Sequence, residues 1–152
     1  MQAPTQITPS GLADYLDVIT RAVFQSGMSW RVVEAKWDGF REAFDGFDPA
    51  AVAAFTDDDV ERLAADQRII RNRRKIEAAI TNAQALVALD HEPGGFVAWL
   101  RGRGDFDATV AALRAEFRYL GDLGAYYFLY VVGEPTPTHE EWMRTHPESG
   151  GR

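Results

Sequence analysis

Five large apolar side chains recur along one helical face between residues 30 and 44: Trp30, Val33, Trp37, Phe40 and Phe44. This is α-helical spacing, and the stripe is wide enough to require burial. The same logic continues downstream. Asp48-Pro49 is a helix start, because Asp48 can cap free amides and Pro49 suits the first helical position. Thr56, with Asp59 three residues on, repeats the capping pattern with a carboxylate near the positive helix end. Arg71, Arg73, Arg74 and Lys75 then open a long helix over about residues 72–89, with Ile76, Ala79, Ile80, Ala83 and Val87 on its inner face. No segment alternates apolar and polar residues with a period of two. The expected fold class is therefore all-α, a single compact helical domain.

The flanks follow from the same reading. Residues 1–9 contain Pro4 and Pro9 and read as a loose N-terminal arm. The helical domain spans residues 10–133 and begins with a helix that Ser10 can cap, with Leu12, Tyr15, Leu16, Ile19 and Val23 sharing one face. The second helix is expected unbroken from Trp30 to Phe44, with Gly46 just past its end. Pro93-Gly94-Gly95 breaks the chain, and a short helix follows at Phe96–Leu100. Asp107 caps a helix with Val110, Leu113 and Phe117 inside. Ala125–Val132 is almost wholly apolar and reads as a buried helix. From Glu134 onward, residues 134–152 read as an extended acidic tail.

Composition narrows the function classes. The chain has no cysteine, so it has no disulfide, thiolate ligand or thiol nucleophile. His91, His139 and His146 follow no metal-ligand spacing, so no metal and no cofactor are expected. Arg101-Gly-Arg-Gly104 lacks the lysine ending of a phosphate loop. No apolar run is long enough to span a bilayer and no leader opens the chain, so a soluble cytoplasmic protein is expected. The net charge of −7 argues against nucleic acid as a partner. The bases, however, gather at Arg68–Lys75 and Arg101–Arg118, and the acids at Asp38–Asp66 and Glu134–Glu148. One basic face on an acidic protein and a set of solvated helix faces both fit that pattern.

Between Gln25 and Ala83 the chain resembles the DNA-3-methyladenine glycosylase I family of the helix-hairpin-helix DNA glycosylase superfamily. The residues that carry the resemblance are Gln25-Ser-Gly-Met-Ser-Trp30, Phe47-Asp48-Pro49, Asp59-Val-Glu-Arg-Leu63, Ile69-Ile-Arg71 and Asn82-Ala83. It implies a helical domain of the helix-hairpin-helix DNA glycosylase type. It further implies an N-glycosylase that hydrolyses the bond to an alkylated purine flipped out of duplex DNA, acting as a monomer without a cofactor. The chain departs from the family in three places. The family's base-reading glutamate corresponds to Ala22, its N-terminal tyrosine-histidine-aspartate segment has no counterpart, and its zinc site, which uses cysteines, cannot exist here. A catalytically inactive DNA-binding module descended from a glycosylase is the alternative. A pocket turned to a small molecule or partner protein is a third.

The resemblance also assigns candidate residues. Trp30 is the family's stacking tryptophan, and Gln25 and Ser29 lie beside it as base-binding candidates. By residue type and spacing alone Trp30 reads as a core residue on the Trp30–Phe44 stripe, and with the resemblance the two readings stand level. Phe117-Arg-Tyr-Leu-Gly-Asp-Leu-Gly124 occupies the place of the phosphate-binding hairpin, with Gly121 and Gly124 as its glycines, although glycine-x-glycine spacing is not kept. An ordinary inter-helix turn also fits. Arg71, Arg73 and Arg74 are candidates for the DNA backbone. Glu140 falls at the distance after the hairpin where other superfamily branches place a catalytic aspartate. A charged, solvated tail is the competing reading for Glu140, and Asp122, Asp14 and Asp17 are further carboxylate candidates.

Overall fold

The computed structural model describes residues 3–146. Among these residues there are α-helices, one short 3-10 turn and no strand. The helices are α1 (Leu12–Gln25), α2 (Trp30–Ala35), α3 (Trp37–Ala43), α4 (Pro49–Ala53), α5 (Asp57–Ala64), α6 (Arg73–Asp90), α7 (Gly95–Arg101), α8 (Phe106–Glu116), α9 (Asp122–Val131) and α10 (His139–Thr145). The long α6 is the axis of the fold and packs against α1, α4, α5 and α7, while α1 also packs against α9.

Several helix boundaries form where local chemistry places them. Asp48 accepts a hydrogen bond from the Ala50 amide at 3.2 Å, with Pro49 in the first turn of α4. Thr56 and Asp59 form a capping box at α5. Asn72 accepts from the Lys75 amide at 3.1 Å and starts α6. Other boundaries move. The cap of α8 is Asp105, not Asp107. Ser10 does not cap α1; its amide and hydroxyl instead donate to the Asp14 carboxylate, and Gly11 occupies the cap position.

The helix expected from Trp30 to Phe44 is two. It breaks at Lys36 (φ −102°, ψ 2°), whose Nζ donates to the Gln67 carbonyl at 3.1 Å. The break lets Trp30 leave the stripe. Val33, Trp37, Phe40 and Phe44 are buried, whereas Trp30 is only partly so. Trp37 stacks on Phe40 with centroids 4.5 Å apart and on Phe47 at 5.4 Å. Phe47 reaches this stack from a left-handed turn (φ 58°), a strain offset by its complete burial. Gly39 is required where α3 meets the 66–68 loop, since a Cβ there would lie 2.5 Å from the Arg68 carbonyl oxygen. Asp17 is committed to the core margin, accepting from Trp37 Nε1 at 3.1 Å and from both Arg21 and Arg41.

The two flanks are held more firmly than their composition implies. In the arm, the Ile7 amide donates to the Val131 carbonyl at 2.8 Å and Gln6 Nε2 to that of Tyr130. The tail is not extended throughout. Glu134 is buried and accepts from Arg101 at 3.0 Å. Thr138 and Glu141 then build a capping box that starts α10. The physical reason is Trp142, which is buried against Tyr126 with ring centroids 4.4 Å apart. Residues 147–152 of the expected tail lie outside the described residues. Arg101 and Arg103 of the Gly-rich loop are also engaged, Arg101 with Glu134 and Arg103 Nε with the Trp99 carbonyl at 2.7 Å.

Candidate functional site

The turn from Gln25 to Trp30 closes α1 and opens α2, and Lys75 on α6 fixes its shape. The Lys75 ammonium is buried and donates to the Ser26 carbonyl at 2.6 Å and the Phe24 carbonyl at 3.2 Å. Burial lowers its pKa from the ordinary lysine value. Lys75 therefore does not belong to an exposed basic cluster. It satisfies carbonyls left free at the end of α1 and sets the start of α2, where Trp30 stands.

Facing this turn is the hairpin between α8 and α9. Phe117 and Leu120 are buried, while Tyr119 projects outward with φ 58°. Gly121 precedes α9 with no side-chain cap, and a Cβ there would meet nothing within 4 Å. Packing in the free protein thus does not require a glycine at 121, and its bare backbone leaves the first amides of α9 open to an anion. Gly124 has a different role. It lies in the first turn of α9, where a Cβ would come within 3.0 Å of Leu120 and 3.7 Å of the Ala22 side chain. Ala22 and Gly124 are the small residues that let α1 and α9 approach closely.

Between turn and hairpin lies a cavity of about 230 Å³, lined among others by Ala22, Gln25, Trp30, Gly124 and Tyr127. It is below the roughly 300–1,000 Å³ of drug-sized ligand sites, a size suited to a single planar ring system. Trp30 and Tyr127 form its aromatic wall, edge to face, with centroids 5.2 Å apart. Burial raises the Tyr127 pKa, opposed by the neighbouring Arg21 and Gln25 side chains, so its hydroxyl stays protonated at neutral pH. Gln25 is 5% exposed, and its Nε2 has no hydrogen-bond partner among the described residues. The Gln25 side chain is close enough to the Tyr127 hydroxyl to lower that group's pKa but makes no hydrogen bond of good geometry to it, so this buried amide is available to a ligand in the cavity. The cavity opens beside a wider groove of about 1,100 Å³, with which it shares Ser26, Tyr119 and Gly121.

The remaining candidates fall in different places. Ser29 is half-buried at the start of α2 and is not among the residues lining the cavity. Glu140 is exposed in the first turn of α10 and lines neither cavity nor groove. Asp122 is the one acidic side chain among the cavity's lining residues, and it accepts from Arg114 at 2.7 Å. Asp14 and Asp17 are bound to Ser10 and to Trp37, Arg21 and Arg41. Arg73 is held by Glu61 through two contacts at 2.8 and 3.0 Å. Arg71 and Arg74 are exposed, and none of the three lines the groove. The basic side chains that do are Arg114 and Arg118. Among the described residues no group of acidic or histidine side chains is arranged to hold a metal ion.

Tyr127 and Lys75 were not apparent as site residues. Tyr127 is hidden in the apolar run of α9. Lys75 carried a signal, because it shares a helical face with Ala78, Ala79 and Asn82, all buried.

The chain is similar in sequence and in fold to known proteins. A protein-family model described as methyladenine glycosylase matches residues 13–118. DNA-3-methyladenine glycosylase 1 of Escherichia coli (strain K12) is 45% identical over 73 residues, which are 48% of this chain and 39% of that protein. DNA-3-methyladenine glycosylase of Haemophilus influenzae is 39% identical over 66 residues, 43% of this chain and 36% of that protein. These matches therefore span well under half the length of either relative. A crystal structure of 3-methyladenine DNA glycosylase I (TAG) superposes with a TM-score of 0.72 at 28% identity, covering 84% of this chain and 81% of the other. The Staphylococcus aureus enzyme, solved in a study of 3-methyladenine recognition, gives 0.73 at 21% identity with 88% of each chain covered, a likeness of fold. With the family model extending over more than half of the sequence, the chain belongs to the methyladenine glycosylase family.

Proposed function

We propose that this protein is a DNA N-glycosylase that extrudes a damaged base, an alkylated purine, from duplex DNA and hydrolyses its bond to the sugar. The observation that carries the reading is the small aromatic cavity at Trp30 and Tyr127, opening directly beside the hairpin at Gly121. Base-excision chemistry needs this pairing: a pocket whose faces stack on an extruded ring, next to a grip on the backbone. The open helix start at Gly121, with Arg114 and Arg118 lining the groove, offers that grip to a phosphate despite the chain's net charge of −7. Gln25 would read the base edge through its unpartnered amide. Because one chain forms both groove and cavity, the reading extends to a monomer acting on DNA in the cytoplasm. None of the described helices is long and apolar enough to cross a membrane.

The chemistry tolerates the alanine at position 22. A 3-methylpurine nucleoside already carries positive charge on the base. As the glycosidic bond breaks, its electron pair returns to the ring and the base leaves neutral. A water oxygen then bonds to the sugar carbon and gives up its proton. The protein must hold the ring, extrude the nucleotide and stabilise charge left on the sugar. Incubating the purified protein with methylated duplex DNA and separating free bases tests the reading. Release of 3-methyladenine above blank, lowered about five- to 150-fold by Trp30→Ala, is expected from stacking contributions of about 1–3 kcal/mol. No release by the wild type overturns it. Salt-sensitive duplex binding without release would instead establish the inactive DNA-binding reading, which the absence of an acidic side chain at position 22 favours.

A further inference from the structure

Tyr119 stands out within the hairpin. It is 45% exposed, one of three large hydrophobic residues so placed among the described residues, while Phe117 and Leu120 on either side are buried. Its φ of 58° is a left-handed conformation that a bulky side chain rarely adopts. The strain cannot relax easily, because the adjacent Arg118 backbone is bound on both its amide and its carbonyl by Asn82. The fold thus holds an aromatic ring outward at a conformational cost, and apolar burial does not repay it in the free protein. Tyr119 also lies on the rim shared by the Trp30 cavity and the groove, two residues from Gly121.

We propose that Tyr119 is the wedge that enters the base stack and fills the space an extruded nucleotide leaves. The proposal rests on the base-extruding reading and adds a residue to it. A strand gripped at Gly121 with one base in the cavity has its vacated position next to the rim. Tyr119 is the aromatic side chain that stands there exposed. An apolar or aromatic wedge between base steps compensates for lost stacking, and an aromatic ring does so whatever the flanking sequence. Holding the hairpin rigid in advance lowers the ordering cost of insertion.

The test uses the full chain with two duplexes: one intact, one carrying a tetrahydrofuran abasic analogue flanked by 2-aminopurine. Affinity is read by anisotropy at low salt, and insertion by 2-aminopurine emission. The wild type is expected to prefer the abasic duplex and to change the emission. Tyr119→Ala is expected to lose about tenfold or more of that preference, with intact-duplex affinity within about twofold, while Tyr119→Phe retains both signals. Thermal melting establishes that each variant is folded. A Tyr119→Ala protein that keeps preference and emission change overturns the wedge and leaves the base-extruding reading standing. A wild type that binds both duplexes equally overturns the wedge too. A wild type with no duplex affinity overturns both.

Discussion

Asn82, fully buried on α6, binds the backbone of Arg118 in both directions: the Arg118 amide donates to Oδ1 at 2.8 Å, and Nδ2 donates to the Arg118 carbonyl at 3.2 Å. One side chain thereby satisfies both polar groups of a hairpin residue 36 positions away. Lys75 does the comparable thing for the Gln25–Trp30 turn, two helical turns earlier on the same face of α6. The turn beside the cavity and the hairpin beside the groove are thus registered to each other through a single rigid helix, in addition to the direct contact of Trp30 with Tyr127.

Replacing Asn82 with Ala is expected to cost about 1–3 kcal/mol, because it removes two hydrogen bonds and leaves backbone groups at the hairpin base without partners. The functional loss should exceed the stability loss. With the Arg118 backbone released, the left-handed conformation of Tyr119 can relax, and the preference for an abasic duplex over an intact one should fall even in protein that remains fully folded. Urea unfolding alongside duplex titration below the unfolding midpoint separates the two effects. An equal abasic-duplex preference in wild type and Asn82→Ala would show that the clamp does not shape the hairpin for DNA.

Lys75→Met should also destabilise the protein, by about 1–3 kcal/mol, since the Phe24 and Ser26 carbonyls lose their donor. Its pH dependence has a defined sign. Burial lowers the folded-state pKa of Lys75 below the ordinary 10.5. In the window just below 10.5 the unfolded chain therefore holds more protons at this site than the folded chain. Stability contributed by the site must rise with pH through that window. Comparing urea midpoints at pH 8 and pH 10 for wild type and Lys75→Met isolates the term. The wild type should gain relative to the variant at the higher pH, and a relative loss would contradict the assignment.

Much of the helical frame was legible because it is written locally. The box at Thr56 and Asp59, the Asp48-Pro49 start and the stripe through Val33, Trp37, Phe40 and Phe44 each depend on residues within about two turns of one another. The errors came where a distant contact decided. Lys36 breaks its helix where it reaches Gln67, and Trp142 folds a Pro- and Glu-rich stretch by packing on Tyr126. The site followed the same division. Trp30 and Gln25, base-binding candidates from one contiguous motif, both line the cavity, while Ser29 of the same motif does not. Tyr127 and Asn82 join it only through the packing of α9 and the hairpin against α1 and α6, which no local pattern records. Arg73 shows the converse: an exposed base in a basic run is already paired, with Glu61.

On the base-excising proposal, the carboxylate that would serve the reaction can be decided between Glu140 and Asp122. Sequence distance from the hairpin favours Glu140, yet that side chain is exposed on α10 and touches neither cavity nor groove. Asp122 borders the cavity, and its present partner, Arg114, also lines the groove where a DNA phosphate would lie. A phosphate competing for Arg114 would free the Asp122 carboxylate to face positive charge developing on the sugar. The pair is solvent-exposed, so separating it costs little. Asp122→Asn should then lower single-turnover base release about tenfold or more, with duplex affinity unchanged or slightly higher, because a negative charge beside the strand is removed. Glu140→Gln should release base at the wild-type rate. The opposite pattern, a slow Glu140→Gln and a normal Asp122→Asn, would require α10 to move onto the groove when DNA binds.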